Sequence, residues 1–144
     1  MGMFFFRLFT GIHAKIIKLS RGRVLAGSTL VLTHTGAKSG KVRDTPLMYF
    51  HDGDDYLLAA SAGGAPNNPG WYHNLMANPE AVIHVKGEAI DVTARDAGED
   101  RDRLWKVITE TEPRFATYEA SADRIIPVVV LEPVSYTHLR AHET

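Results

Sequence analysis

Cysteine is absent from the sequence, which excludes disulfides, thiolate metal centres and cysteine nucleophiles and suits a reducing compartment. Acidic residues are absent from its first third. None of the 17 Asp and Glu precedes Asp44, whereas eight of the 16 Lys and Arg fall between Arg7 and Arg43. That basic third suits a phosphate or an anionic surface, and the acidic remainder argues against broad nucleic-acid binding. Long apolar runs are missing too. Nothing approaches the roughly 20 residues that span a bilayer. Arg7 interrupts the opening Phe4-Phe5-Phe6 run and no Ala-x-Ala follows, so a secretory signal is not expected. The expected location is cytoplasmic, or peripheral on the inner face of the cell membrane. No Gly-x-Ser-x-Gly elbow surrounds Ser39 or Ser61, no histidine pair within the folded part has metal spacing, and no convincing acid/base pair of carboxylates is found. A chain without an evident protein nucleophile or acid often leaves its chemistry to a cofactor.

What is present reads as one small domain. Phe5, Phe9, Ile12, Ile16 and Leu19 recur at spacings of three and four, which predicts an amphipathic helix over Met3–Leu19. Its face suits either a membrane interface or packing on the domain or a partner subunit. Short β-branched runs then alternate with turn signals. Strands are expected at Thr29–Thr35, Arg43–His51, Tyr56–Ser61, Ala81–Val85, Glu88–Arg95 and Ile126–Leu131, with Pro46 pointing to an edge or a bulge. Helices are expected over Trp71–Ala77, Glu99–Glu110 and Phe115–Ala122. Six short strands with few helices predict a mainly β (α+β) fold, a small antiparallel barrel with short peripheral helices and an N-terminal amphipathic helix. Residues 1–23 form the helical segment and 24–133 the barrel domain. Residues 134–144 read as a disordered tail that looks foreign to the domain.

Two loops carry candidate chemistry. Gly36-Ala37-Lys38-Ser39-Gly40-Lys41 is not a Walker A loop: only three residues separate its glycines, and Val42 stands where Ser or Thr would meet magnesium. It is either a basic β-turn or an anion grip in which Lys38, Lys41 and Arg43 surround a phosphate. Ser61-Ala62-Gly63-Gly64-Ala65-Pro66-Asn67-Asn68-Pro69-Gly70-Trp71 is a glycine-rich loop entering a helix. It is either a plain connection or a place where a ligand approaches backbone closely. His34 and His84 lie in strands and read as satisfied structural residues.

Taken in order, four strings resemble the deazaflavin (F420)-dependent nitroreductase family: Thr35 to Leu47, Ala59 to Ala65, Asn68 to Pro79 and Asp123 to Pro133. The resemblance runs from about Phe4 to Pro133. It implies a six-stranded, FMN-binding-like split β-barrel and coenzyme F420 as cofactor, with FMN as the alternative. It implies hydride transfer from a reduced deazaflavin to a quinone, nitroaromatic or activated alkene, by a monomer or homodimer. A non-catalytic cofactor carrier of the same fold is the rival. Carried over by position, Lys38, Ser39, Gly40 and Arg43 would hold the cofactor phosphate and acidic tail. Asp44, Thr45, Pro46, Leu47 and Met48 would line the deazaflavin. Ala59, Ala60, Ser61 and Ala62, with Gly70, Trp71, Tyr72, His73 and Asn74, would form the opposite wall. Met48, Ser61 and Tyr118 would face the substrate, Ser61 and Tyr118 as the catalytic hydrogen-bond donors. Three departures from the family pattern stand out. Ala37 replaces a common Arg, Ala62 a common Lys, and Glu112 and Phe115 replace aromatic hydroxyls near the substrate, with Phe115 still counted among the cofactor contacts.

Overall fold

A computed structural model describes residues 29–134. The helix expected over Met3–Leu19 and the tail from Ser135 onward lie outside the described residues. Within them, the β-branched and aliphatic runs become seven antiparallel strands: β1 (Thr29–Thr35), β2 (Val42–Met48), β3 (Phe50–Asp52), β4 (Asp55–Ala59), β5 (Glu80–Val85), β6 (Glu88–Asp96) and β7 (Val128–Pro133). Three helices accompany them: α1 (Gly70–Ala77), α2 (Arg101–Thr111) and α3 (Arg114–Ala122). All strands join one sheet in the order β2-β1-β5-β6-β7-β4-β3.

The count is seven strands, not six, and the reason lies at Tyr49. The run expected as one strand, Arg43–His51, pairs with β1 over its first part (Thr29 opposite Met48) and with β4 over its second (Phe50 opposite Leu57). β2 and β3 therefore occupy the two ends of the sheet order while a single residue separates them in the chain. A span of one residue covers only a few ångström, so the sheet must curl until its two edges meet at Tyr49, which is buried. The fold is thus a mainly β, antiparallel, curled sheet. Pro46 sits in β2, a strand whose ladder is to β1 alone, which is the edge position where proline is tolerated.

Both faces of the sheet are covered along β4 and β7. In β7, Val129 and Leu131 join Leu30, Leu32, Leu58, Ile83, Trp71 and Leu75 of α1 in one core cluster. Val128 and Val130 join Phe50, Leu57, Leu104, Ile108 and Phe115 of α2 and α3 in another. That double burial is why Val128-Val129-Val130-Leu131 is continuously apolar rather than alternating. Arg101 ties α2 to the rest. It donates to the Ile126 carbonyl from Nε (3.0 Å) and Nη2 (2.9 Å), pairs with Glu119 of α3, and lies over the Trp105 ring at 4.6 Å.

Strand direction places the candidate loops. Alternation along the antiparallel order makes β1, β6 and β4 run the same way. The turn after β1 and the loop after β4 therefore leave the sheet at the same end, together with Asp96 at the end of β6.

Candidate functional site

Helix α1 lies across that end and bonds to three of its pieces. Asn78 Nδ2 donates to the Thr35 carbonyl (3.4 Å), Tyr72 Oη donates to Asp96 Oδ2 (2.8 Å), and Asn74 reaches the turn 36–41. Burial and the Asp96 carboxylate push the Tyr72 phenol up to about 12, so it stays a donor.

The turn is held by neutral hydrogen bonds. Gly36 N–H donates to the Lys41 carbonyl (2.8 Å), Gly40 N–H to the Gly36 carbonyl (3.0 Å) and Lys41 N–H to Ser39 Oγ (3.1 Å). A Cβ on Gly36 would stand 2.5 Å from that same Oγ, so a larger residue there would displace the Ser39 hydroxyl from its bond to Lys41 N–H. Ala37 N–H donates to Asn74 Oδ1 (2.9 Å), which fixes the orientation of the Asn74 amide. Its Nδ2, 3.1 Å from His34 Nδ1, can then only donate. His34 Nδ1 accepts, and in the neutral ring Nε2–H donates to Thr45 Oγ1 at 2.9 Å. Burial first, then the Arg43 charge, hold the His34 pKa down at about 4. Beside it, Thr33 Oγ1 donates to Asp44 Oδ1 (2.9 Å), and burial raises the Asp44 carboxyl. The reading of His34 as a satisfied structural histidine holds. Its partners lie 11 and 40 residues away in the chain, beyond the reach of local pattern.

The cations of this hairpin are left over. Ion pairs among the described residues use Arg95, Arg101, Arg103 and Arg114, and none uses Lys38, Lys41 or Arg43. All three are exposed. Three unpaired cations on a rigid, exposed hairpin are the donor set that an oxyanion such as a phosphate takes.

The second wall, residues 60–68, is held by charge. Ser61 is buried and opens a short 3-10 turn, Ala62–Gly64, in which Ala62, Gly63 and Gly64 have φ of 48°, 65° and 92°. Arg124, just after α3, grips this loop throughout. Its Nε donates to the Ala65 carbonyl (3.1 Å), Nη1 to Asn68 Oδ1, and Nη2 to the carbonyls of Ala60 (3.2 Å), Ser61 (3.3 Å) and Asn67 (3.1 Å). Helix α3 packs on Gly64 so closely that a Cβ there would meet Ser121 Cβ at 3.3 Å and the Tyr118 carbonyl at 3.4 Å. Sequence reasoning gave Arg124 no role; an arginine whose acceptors are mainly carbonyls leaves no charge pattern to read.

The residues singled out from the sequence are spread over several parts of the fold. Lys38, Ser39 and Gly40 lie in the turn that Asn74 bonds, and Arg43, Asp44 and Thr45 follow on β2. Met48, Ala59 and Tyr118 pack at the margin of the second core cluster, where Arg114 Nη2 lies 3.9 Å from Met48 Sδ; the loop carrying Ser61 reaches the same helix through Gly64. Ala60, Leu47 and Tyr72 belong with the first cluster; Pro46, Ala62, Gly70 and His73 are exposed. Two aromatics serve packing. Trp71 is 7% exposed among the first cluster, and Phe115, also 7% exposed, stands edge-on between Phe50 (5.6 Å) and Tyr118 (5.2 Å).

Comparison with known proteins converges on one family. The family model for F420H(2)-dependent quinone reductases matches residues 6–133. This chain belongs to that family. An F420H(2)-dependent quinone reductase of Mycobacterium tuberculosis is 42% identical over 129 residues, covering 83% of this chain and 87% of that protein. The solved structure of an F420-H2 dependent reductase, FDR-A, shares 41% identity at a TM-score of 0.67, covering 76% of this chain and 98% of its own. A second solved structure, described as a domain-swapped dimer, shares 37% identity at a TM-score of 0.68, over 83% of this chain and 95% of its own.

Proposed function

We propose that this protein is an F420H2-dependent reductase of quinones, with the cofactor seated between the turn 36–41 and the loop 60–68. The observation that carries the reading is the set of cations Lys38, Lys41 and Arg43, in no ion pair among the described residues, on a hairpin that Asn74 and His34 hold rigid. The curled sheet is read more finely as the split β-barrel of flavin-binding oxidoreductases.

When bound, the reduced deazaflavin supplies a hydride. The chain's own work is to bind, orient and stabilise charge. Lys38 and Arg43 hold the phosphate and acidic tail, and Ser39, whose oxygen already accepts from Lys41 N–H, keeps its hydroxyl proton to donate. Asp44 to Met48 line one side along β2, and Ala59 to Ala62 with Gly70 to Asn74 line the other. Trp71 and Phe115, being packed in the cores, support these walls from beneath. The hydroxyls of Ser61 and Tyr118 make no hydrogen bond among the described residues, which leaves both to donate to the acceptor oxygen as negative charge gathers there.

The test mixes purified protein, reduced F420 and menadione without oxygen and follows the absorbance of the oxidised cofactor. Growth of that absorbance only when all three are present is expected. Binding of F420 without oxidation by any quinone, nitroaromatic or enone would turn the reading to a cofactor carrier. Equal turnover with reduced FMN would turn it to a flavin reductase of the same fold.

A further inference from the structure

We infer that Arg124 is the positioning residue for Ser61, acting through the two peptide planes that flank it. The inference rests on the reading of Ser61 as the hydroxyl that faces the acceptor. The Ala60 carbonyl belongs to the peptide before Ser61, and the Ser61 carbonyl to the peptide after it. Both accept from the same Arg124 nitrogen, at 3.2 and 3.3 Å. Peptides are planar, so a hold on the carbonyl of each narrows the φ and ψ open to Ser61. The direction of its Cα–Cβ bond, from which Oγ reaches out, is thereby restricted.

Within the loop, the hold on Ser61 is one backbone bond, from Gly64 N–H to the Ser61 carbonyl (2.9 Å). Ser61 makes no side-chain cap bond, and the next three residues all occupy the left-handed region, two of them glycines that tolerate many conformations. Arg124 is also dedicated to the loop. Among the described residues, each of its five hydrogen bonds ends on residues 60–68 and no carboxylate pairs with it. Arg101, by contrast, pairs with Glu119 and Asp102 and ties helix to helix. The guanidinium matters by its shape. Its planar fork reaches acceptors spread over nine residues, which an ammonium cannot do from one position.

The test compares Arg124→Lys, Ser61→Ala and the double variant with the unaltered protein. Three quantities are read: amide exchange of peptides covering 60–68 in the ligand-free protein, affinity for oxidised F420, and kcat with KM for menadione. Arg124→Lys should speed exchange across 60–68 at least tenfold with β1 unchanged, and lower kcat at least tenfold, by a larger factor than it weakens F420 binding. Because the effect runs through Ser61, the double variant should be no slower than Ser61→Ala alone. Unchanged exchange across 60–68, a kcat within twofold, or fully additive losses would overturn the inference. Should Arg124→Lys fail to fold, Asn68→Ala removes one acceptor of the grip and should show the same pattern in smaller measure; its absence there overturns the inference equally. An unaltered protein that never oxidises reduced F420 refutes the reductase reading instead, while the exchange arm still decides whether Arg124 sets the loop.

Discussion

The two walls of the candidate site solve one problem by opposite means. Each must hold an irregular segment still at the end of the sheet. The turn 36–41 is held by neutral donors and acceptors, Asn74, His34 and Thr45, and its cations stay outside the network, facing solvent. The loop 60–68 carries no charge of its own and is held by a cation from behind, Arg124. Had the turn's own lysines and arginine been used to fasten it, they would be neutralised and unavailable to a ligand. Had the loop been fastened by its own side chains, it would present bulk where alanine and glycine now leave room. On the proposed function, charge is kept where the cofactor's anion would be bound, and small residues where its flat ring would lie.

Acid should produce the largest effect, and only on the first wall. The folded pKa of His34 lies near 4, below its ordinary 6.5. Between those values the unfolded chain binds the extra proton, so stability is full above about pH 6.5 and falls as pH drops toward 4. Across that window the loss is on the order of 3 kcal/mol. Asp44, whose carboxyl burial raises, shifts stability in the opposite sense, so the informative quantity is a difference. Urea midpoints measured from pH 7 to 4.5 should fall steeply for the unaltered protein and less for His34→Gln.

The second wall should break next, and at neutral pH. Gly64→Ala places a Cβ at φ +92° against Ser121 and the Tyr118 carbonyl and should cost about 2 kcal/mol. The denaturation midpoint should fall at every pH, and the exchange of 60–68 should rise while that of 36–41 does not. Asn74→Ala is the mirror experiment. It strips Ala37 N–H and His34 Nδ1 of their partners and should cost about 1–2 kcal/mol, with faster exchange confined to the turn. Lys38→Ala should have the smallest effect on stability, within about 0.5 kcal/mol. It should nevertheless weaken F420 binding by about 1–3 kcal/mol in a titration. Equal stability and equal affinity in that variant would erase the distinction between holding the turn and using it.

How far the sequence anticipates this arrangement differs between fold and site. The β-branched runs at Thr29–Thr35 and Glu88–Arg95 mark their strands because half-burial demands alternation. Asp52-Gly53-Asp54-Asp55 marks its hairpin because glycine at positive φ fits the turn. Arg43–His51 looks like one strand because it is one path; what it does at Tyr49 depends on β1 and β4, and periodicity carries no information about which neighbour a strand will find. The last strand begins at Val128 rather than Ile126 because Arg101 takes the Ile126 carbonyl. In the site, the turn and the glycine loop are visible as composition. The reach of Asn74 to the turn and of Arg124 to the loop is not, since each joins residues that only the finished fold makes neighbours. Trp71 and Phe115 show the remaining ambiguity: an aromatic beside a motif can be a ligand contact or a core residue, and burial alone separates the two.

The position of β7 has a consequence for how the chain is made. This strand is the last to leave the ribosome among the described elements, yet it lies inside the sheet, between β6 and β4. Until Val128–Pro133 emerges, the growing chain carries two unzipped strand edges with nothing between them. The Ala60 N–H also waits for its partner, the Pro127 carbonyl. A nascent chain stalled before Val128 should therefore be protease-sensitive and prone to pair with other chains. Release of six more residues should convert it at once to a resistant form. Arg124 precedes that strand by only a few positions, so the loop it grips and the sheet that carries the loop are completed in the same late moment of synthesis.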